Sequence, residues 1–348
     1  MPRTAVTSVY MMAPQRRASP PEPARAPASR GLPSYAVGIV NYRTYADLAH
    51  CLASVKTQTL APTRVVVVDN DPIPGELRDV QARHPEVEWE PRRNRGFSEA
   101  ANFILERLRG AGRGEEFFLL LNPDVRLEPG FADRLLDAMS RHPEAALASG
   151  KLLRPDTGEI DSAGIVLPRH RRPRDRGSEE PDRGQYDRTE FVFGASGAAL
   201  MVRAAALEDL TLEGEVFDED FFTYHEDTDL SWRANRLGWR VLYVPAARAL
   251  HERHWRRGRR FVIPDRIRRH SFKNHYLQII KNESLTGLLV NLPAIACWEV
   301  LRLGYALLRD RALLAGYADA WQRSPSAWRK RRALKRLIHE KSRRRAAG

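Results

Sequence analysis

Arg64-Val65-Val66-Val67-Val68-Asp69-Asn70-Asp71-Pro72 decides the fold class: an unbroken run of β-branched residues, stopped abruptly by acids, an amide and a proline. A strand that is apolar at every successive position is buried on both faces, the condition of a parallel sheet covered by helices. Ala36-Val37-Gly38-Ile39-Val40 is a second such run and ends in Asn41-Tyr42. Phe117-Phe118-Leu119-Leu120-Leu121 is a third and ends in Asn122-Pro123-Asp124. Between the first two strands, residues 46 to 57 set Leu48, Cys51, Leu52 and Val55 at helical spacing. This alternation predicts an α/β domain, and in such sheets ligands gather at the carboxyl ends of the strands. Asn41, Asp69, Asn70 and Asp124 therefore stand where a nucleotide is expected.

The 348 residues carry a net charge of +13 with 43% apolar residues. That composition excludes global disorder and points to anionic partners: nucleotide, phospholipid or nucleic acid. Two cysteines, Cys51 and Cys297, supply no disulfide framework and favour a reducing compartment, so a cytoplasmic location is expected. Residues 1 to 33, with Pro14, Pro20, Pro21, Pro23, Pro27 and Pro33 among Ala, Arg and Ser, read as a disordered leader without a secretory apolar core. The expected domain spans 34 to 258, followed by a helical extension over 259 to 325 and a basic tail over 326 to 348. Within the domain, residues 168 to 189 are almost wholly polar and read as a mobile surface loop.

The densest chemistry lies in Asp218-Glu219-Asp220-Phe221-Phe222-Thr223-Tyr224-His225-Glu226-Asp227-Thr228-Asp229-Leu230-Ser231-Trp232-Arg233. A carboxylate beside apolar rings has its charged form disfavoured and its basicity raised, which suits a general base near neutral pH. Residues 227 to 237 read as a helix with Glu226, Asp227 and Asp229 at its N-terminus, where acids also serve as caps and dipole partners. A hard divalent cation, Mg²⁺ or Mn²⁺, needs only one firm carboxylate such as Asp124 when a diphosphate completes its shell. The turn Arg92-Arg93-Asn94-Arg95-Gly96-Phe97-Ser98 opens a helix and can offer backbone N–H groups to an anion. Gly194-Ala195-Ser196-Gly197 permits close backbone approach to a ligand.

Val65 to Asn70, Asn94-Arg95-Gly96-Phe97, Leu121-Asn122-Pro123-Asp124, Gly194-Ala195-Ser196-Gly197-Ala198, Phe217-Asp218-Glu219 and Tyr224 to Arg233 together resemble the family 2 glycosyltransferases of the rhamnosyltransferase type. The resemblance runs in order from about residue 35 to 255. It implies a GT-A fold, a mixed and mostly parallel sheet between helices, and inverting sugar transfer from a nucleotide diphosphate donor, with dTDP-L-rhamnose favoured. By this resemblance Asn41, Asp69, Asn94, Gly96, Asn102 and Asn122 border the donor, and Asp124 and His251 hold the metal, with His254 a lesser substitute. Asp227 takes the catalytic base position, while Glu226, Asp229 and Trp232 orient the base or hold the acceptor. Asn122 stands where the family's Asp-X-Asp motif has its first carboxylate.

Beyond residue 255 the resemblance thins. Leu285 to Trp298 is apolar, but Glu299 and Arg302 end it short of the roughly 20 residues that span a bilayer. Trp298, Leu301, Tyr305 and Leu308 beside Arg302, Arg309 and Arg311 suit either a membrane interface or a hairpin packed on the domain. The basic tail favours an anionic membrane surface, and with it a lipid-linked or polysaccharide acceptor on the inner face of the plasma membrane. Nucleic acid is disfavoured, because the acids at Asp124, Glu226 and Asp227 would repel a polyanion. A sugar-phosphate nucleotidyltransferase and a non-catalytic basic scaffold are the alternative readings.

Overall fold

The computed structural model describes residues 33–110, 114–253 and 263–347. Most of the expected leader, and His254, lie outside the described residues. Strands β1 (Tyr35–Asn41), β2 (Val65–Asn70), β3 (Glu88–Arg92) and β4 (Phe117–Leu121) are joined through helices α1 (Tyr45–Lys56), α2 (Pro74–Arg83) and α3 (Phe97–Gly110). They lie side by side in the order β4-β1-β2-β3, all parallel, as the β-branched runs predict. The register sets Asn41 opposite Asp69, so β1 and β2 end at one level.

The chain continues through β5 (Val125–Leu127), α4 (Phe131–Arg141), β6 (Ala145–Leu153), β7 (Ile160–Ser162), the paired short strands β8 (Ile165–Val166) and β9 (Arg174–Asp175), and β10 (Glu190–Val192). Then come β11 (Ala199–Arg203), α5 (Leu207–Leu210), α6 (Glu226–Arg236) and β12 (Arg240–His251). Strand β11 runs antiparallel between β4 and β6, and β12 pairs parallel with β6, which makes the sheet mixed. Successive residues of β2 serve opposite cores. Val67 packs in the layer with Leu48 of α1 and Leu135 of α4, and Val66 and Val68 in the layer with Ile104 of α3 and Leu230 of α6. Burial on both faces is why β2 reads as a continuous apolar run.

Residues 168 to 189 run along the surface and are tied to the body at several points. Lys151 donates to Asp182 at 2.9 Å and pairs with Asp187, Arg176 donates to Glu190 at 2.7 Å, and Arg171 pairs with Glu283. Three helices follow: α7 (Asp265–Asn282), α8 (Leu285–Leu308) and α9 (Ala312–Ala347). Helix α9 passes through Pro325 without ending, so one helix carries the end of the expected extension and most of the expected tail, and its Leu334 is buried in the core beside α3 and α6.

Helix α8 corrects the expected end of the apolar stretch. It runs on past Glu299 and Arg302 because both charges turn onto α7, where Glu299 accepts from the Tyr276 hydroxyl and Arg302 lies 3.9 Å above the Phe272 ring. The opposite side of α8 exposes Leu289, Val300, Leu301 and Leu308 at 63%, 73%, 62% and 83%. By length and composition this helix is apolar enough to cross a membrane.

Candidate active site

Asn41 and Asp69 meet at the ends of β1 and β2, where the Asn41 amide donates to Asp69 Oδ1 at 2.9 Å and the Tyr45 hydroxyl donates to Oδ2 at 2.7 Å. Burial pushes the Asp69 carboxyl up, and these two donors counter it. Both residues are fully buried, so they set the floor beneath the strand tips. Asn70 donates to the Gly96 carbonyl at 3.1 Å, and Asn94 Oδ1 accepts from the Gly96 N–H at 2.9 Å. Gly96 has φ +106°, and a side chain there would collide with the Phe222 backbone, so the position requires glycine. Arg92, Arg93, Asn94 and Arg95 line a cleft whose charge suits a diphosphate.

Asn102 is placed differently from its expected donor role. Its amide donates to the Phe217 carbonyl at 2.8 Å and to Glu219 at 3.1 Å, while its oxygen accepts from the Val216 and Phe217 N–H groups. It clamps the 216–219 segment. Asn122 is half-buried at the tip of β4, its backbone N–H bonded to the Ala198 carbonyl at 2.9 Å.

Asp124 follows β4, and His251 closes β12 beside it, with Nε2 3.4 Å from Asp124 Oδ1. The other ring nitrogen, Nδ1, lies 2.7 Å from Asp161 Oδ2. Burial alone would lower the His251 pKa, but hydrogen bonds to Asp124 and Asp161 raise it to about 9. Asp161 is itself fully buried. Burial would raise its carboxyl, yet the His251 bond and the nearby Arg253 and Arg154 guanidinium groups hold it below the ordinary range. Among the described residues no group of three or more His, Cys, Asp and Glu side chains is placed to hold a metal. The Asp124 carboxylate and His251 Nε2 nevertheless fit a hard divalent cation that takes its remaining ligands from diphosphate and water, and Asp161 is the kind of outer partner that orients a ligating histidine.

Glu226 and Asp227 open α6. The approach to them is strained: Phe222, Tyr224 and His225 adopt φ of +67°, +69° and +70°. For such residues each left-handed conformation costs on the order of 1–3 kcal/mol, so surrounding contacts must impose it. Asn274 of α7 supplies them through amide contacts of 2.9, 2.8 and 2.8 Å to the carbonyls of Phe221, Thr223 and Tyr224. Asp227 Oδ2 accepts from the Gly197 N–H at 2.9 Å, and Oδ1 from the Thr228 N–H at 2.7 Å. The glycine-containing turn therefore brings its backbone up to Asp227. Burial and the adjacent Asp227 charge push the Glu226 carboxyl up to about 8. Burial raises Asp227 too, as does Asp175, against the Gly197 and Thr228 donors. Both carboxyls are thus more basic than an ordinary acid, and the two N–H donors favour the charged form of Asp227, whereas Glu226 lacks comparable donors.

Asp229 is fully buried, with both carboxylate oxygens taken up by the end of α7. Lys281 Nζ donates to its Oδ2 at 2.6 Å and the Asn282 amide to its Oδ1 at 2.6 Å. Lys281 also donates to Asp218 at 2.6 Å, and Lys330 of α9 reaches Asp218 at 2.6 Å and Glu215 at 2.8 Å. Trp232 is buried, edge-on to Phe193 with ring centroids 5.9 Å apart and with Arg171 5.9 Å above its ring. Both residues fix α6. Asp161, Asn274, Lys281 and Lys330 were not among the residues expected from sequence. The only signal for Asp161 is a carboxylate inside the short run Ile160-Asp161-Ser162.

A mixed sheet with strand tips bearing Asn94, Gly96, Asp124 and His251, and a carboxylate at the start of a following helix, is the arrangement of a GT-A sugar-nucleotide transferase. Residues 36–208 match the family model described as glycosyl transferase family 2. Over 241 residues the chain is 32% identical to N-acetylglucosaminyl-diphospho-decaprenol L-rhamnosyltransferase of Mycobacterium tuberculosis (strain CDC 1551 / Oshkosh), covering 63% of this chain and 76% of that protein. The same protein from strain ATCC 25618 / H37Rv matches equally, at 32% over 241 residues. The crystal structure of GalNAc-T7 with UDP, GalNAc and Mn2+ shares the fold at a TM-score of 0.56 and 13% identity, over 73% of this chain and 48% of that one. The chain belongs to the family 2 glycosyltransferases.

The ion network gives a stability prediction. Lys281→Met leaves the buried Asp229 carboxylate with Arg233, 3.5 Å away, in place of its lysine and leaves Asp218 with Lys330, so urea denaturation should show a loss of up to roughly 3–5 kcal/mol. A loss under about 1 kcal/mol would mean these ions behave like an exposed pair and do not hold the extension to the domain.

Proposed function

We propose that this family 2 glycosyltransferase is an inverting, metal-dependent rhamnosyltransferase. It moves L-rhamnose from dTDP-L-rhamnose onto a lipid-linked or growing cell-envelope glycan. Asp227 carries the reading: a carboxylate of raised basicity, anchored by two backbone N–H groups beside Glu226, whose own carboxyl is pushed up to about 8. The identity with the mycobacterial rhamnosyltransferase supports the sugar and the lipid-linked acceptor.

The acceptor hydroxyl attacks the anomeric carbon on the face opposite the diphosphate. The bond from that carbon to the diphosphate oxygen breaks, and Asp227 takes the hydroxyl proton. One displacement inverts the configuration. Mg²⁺ or Mn²⁺ held by Asp124 and His251 would neutralise charge on the diphosphate. Asn94, Gly96 and the surrounding arginines hold the donor, and the protonated Glu226 can donate a hydrogen bond to the acceptor.

A peripheral place on the inner face of the plasma membrane is part of this reading, and helix α8 supports the membrane contact itself. Its buried Asn291 and inward-turned Glu299 and Arg302 face protein, while the leucine-rich side is exposed. A helix packed lengthwise on its own domain in this way lies in the interfacial plane, apolar side toward the acyl chains.

Three outcomes are expected. Asp227→Asn should lower metal-dependent release of dTDP from dTDP-rhamnose, with a lipid-linked acceptor present, by about 10²–10⁴-fold. Unchanged release removes Asp227 as base, and pyrophosphate as the product makes the protein a nucleotidyltransferase. A base must be deprotonated to act, so the acidic limb of the rate profile should lie above the ordinary aspartate value of about 3.9. Asp175→Asn removes a charge that raises Asp227 and should move that limb to lower pH, whereas a stationary limb assigns the titration to another group. Finally, Leu289→Asp with Val300→Asp should abolish flotation with phosphatidylglycerol vesicles; flotation retained by the double variant contradicts the placement of α8.

A further inference from the structure

From Asp220 to Leu237 the chain is turned inward except at Tyr224, the one exposed residue of that stretch. Among the described residues before α7, only Tyr42 and Tyr224 are large hydrophobic side chains left exposed, at 49% and 46%. Tyr42 follows the tip of β1 on the donor side, whereas Tyr224 stands just ahead of Glu226 and Asp227. Its backbone is left-handed, with φ +69°, and so is that of His225 at +70°. Glycine or asparagine would adopt that conformation at lower cost, and an exposed ring cannot recover the cost by packing in a core. The fold imposes it nevertheless. The Asn274 amide holds the Tyr224 carbonyl at 2.8 Å, and the His225 ring is turned onto α7, with Nε2 3.2 Å from Ser271 Oγ. Two consecutive left-handed residues thus send one ring into the protein and the other out over the head of α6. Strain kept at an exposed residue beside reacting groups points to use on a ligand. The phenol end also lies among the charges of the site: partial burial raises its pKa, Arg253 opposes this, and Glu226 and Asp124 add to it. Trp232, which the resemblance assigns to the base or the acceptor, is buried beside Phe193 and beneath Arg171 and offers no open face.

We propose that the exposed face of the Tyr224 ring is the platform for the acceptor sugar, the pyranose whose hydroxyl attacks the donor. The proposal rests on the reading above in which Asp227 is the base. A pyranose has an apolar face of C–H bonds and a rim of hydroxyl groups, so an aromatic ring takes the face and leaves the rim to polar partners. Laid on Tyr224, the sugar turns its rim toward Glu226 and Asp227, and the attacking hydroxyl is oriented before its proton moves. The ring therefore selects a sugar with an unobstructed C–H face, and it contributes to acceptor affinity rather than donor affinity.

The test is binding of sugar-diphospho-farnesols to the full-length protein in octaethylene glycol monododecyl ether micelles, whose headgroup carries no sugar, with dTDP and Mn²⁺ saturating. N-acetylglucosamine, glucose, galactose and rhamnose are each compared with bare farnesyl diphosphate, so that only the contribution of the sugar is read. The wild type should bind at least one of them about tenfold or more tightly than the bare diphosphate. Tyr224→Asn, which tolerates the left-handed backbone, should lose that gain, and Tyr224→Phe, which keeps the ring, should retain it. A melting temperature of Tyr224→Asn no lower than that of the wild type shows that the fold survives. Three results would each overturn the proposal: no gain from any sugar in the wild type, a gain that persists in Tyr224→Asn, or a gain lost equally in Tyr224→Phe. Weakened binding of dTDP-rhamnose by Tyr224→Asn in the absence of acceptor assigns the ring to the donor and equally overturns it. A ring-dependent gain without rhamnose transfer leaves the platform standing and removes the rhamnosyltransferase reading. Rhamnose transfer with an unchanged acceptor KM in Tyr224→Asn does the reverse.

Discussion

Everything at the catalytic end depends on one largely buried ion network. Lys281 and Lys330 come from the C-terminal helices, Asp218 and Asp229 from the catalytic segment, with Arg233 3.5 Å from Asp229 and Glu215 2.8 Å from Lys330, in a place with almost no water. Removing such ions from water costs about as much as their attraction returns, so the cluster contributes little net stability over an apolar substitute. Its effect is geometric. Each lysine stem can reach its carboxylates in one seating of α7 and α9 only, and Lys281 gains further from its place in the last turn of α7, where the helix end favours a cation. Burial would raise the Asp218 carboxyl, but the two lysines hold it well below the usual range, so Asp218 stays charged at any working pH.

That seating puts Asn274 under the loop that precedes α6. Contacts to the carbonyls of Phe221, Thr223 and Tyr224 impose backbone angles that Phe222, Tyr224 and His225 would not adopt unaided, and the loop delivers Glu226 and Asp227 at the head of the helix. Gly96 and Gly197 are glycine for related reasons: one admits the Phe222 backbone, and the other admits Asp227. The C-terminal helices are therefore structural members of the active site, although they lie outside the residues matched by the family model.

How much of this was legible follows from the range of each interaction. The parallel strands were legible because burial on both faces leaves a local record, the unbroken runs of β1, β2 and β4. The placement of Asp124, Asp227 and His251 was legible because strand tips and a helix start are local features too. Lys281, Lys330, Asn274 and Asp161 left no such record. Asp161 is 90 residues from His251, and Lys281 is 63 from Asp218. A lysine in Ile279-Ile280-Lys281-Asn282 reads as an ordinary solvated side chain until its partner is known. Asn102 was visible but not its task, since an asparagine at a donor pocket and one clamping a loop have the same sequence signature. Glu299 and Arg302 appeared to end an apolar stretch, yet their three-residue spacing sets them on one face of a helix that continues beneath them.

The distribution of positive charge shows which surface is left for an anionic partner. Part of the C-terminal charge is paired within the molecule: Arg323 with Asp220, Arg329 with Glu213, Lys330 with Asp218 and Glu215, and Lys341 with Asp209. A tail that reads as a polybasic membrane tether is also, through these pairs, the strap that closes α9 over the catalytic domain. A net charge of +13 thus overstates what the tail can offer a bilayer. Exposed apolar surface is concentrated on α8, where Leu289, Val300, Leu301 and Leu308 form one side of the helix. Attraction falls off within about 8–10 Å in physiological salt, so charges act on a membrane only where the protein already touches it. Contact through α8 would therefore limit the useful charge to cations within that distance of its exposed side, wherever in the sequence they come from.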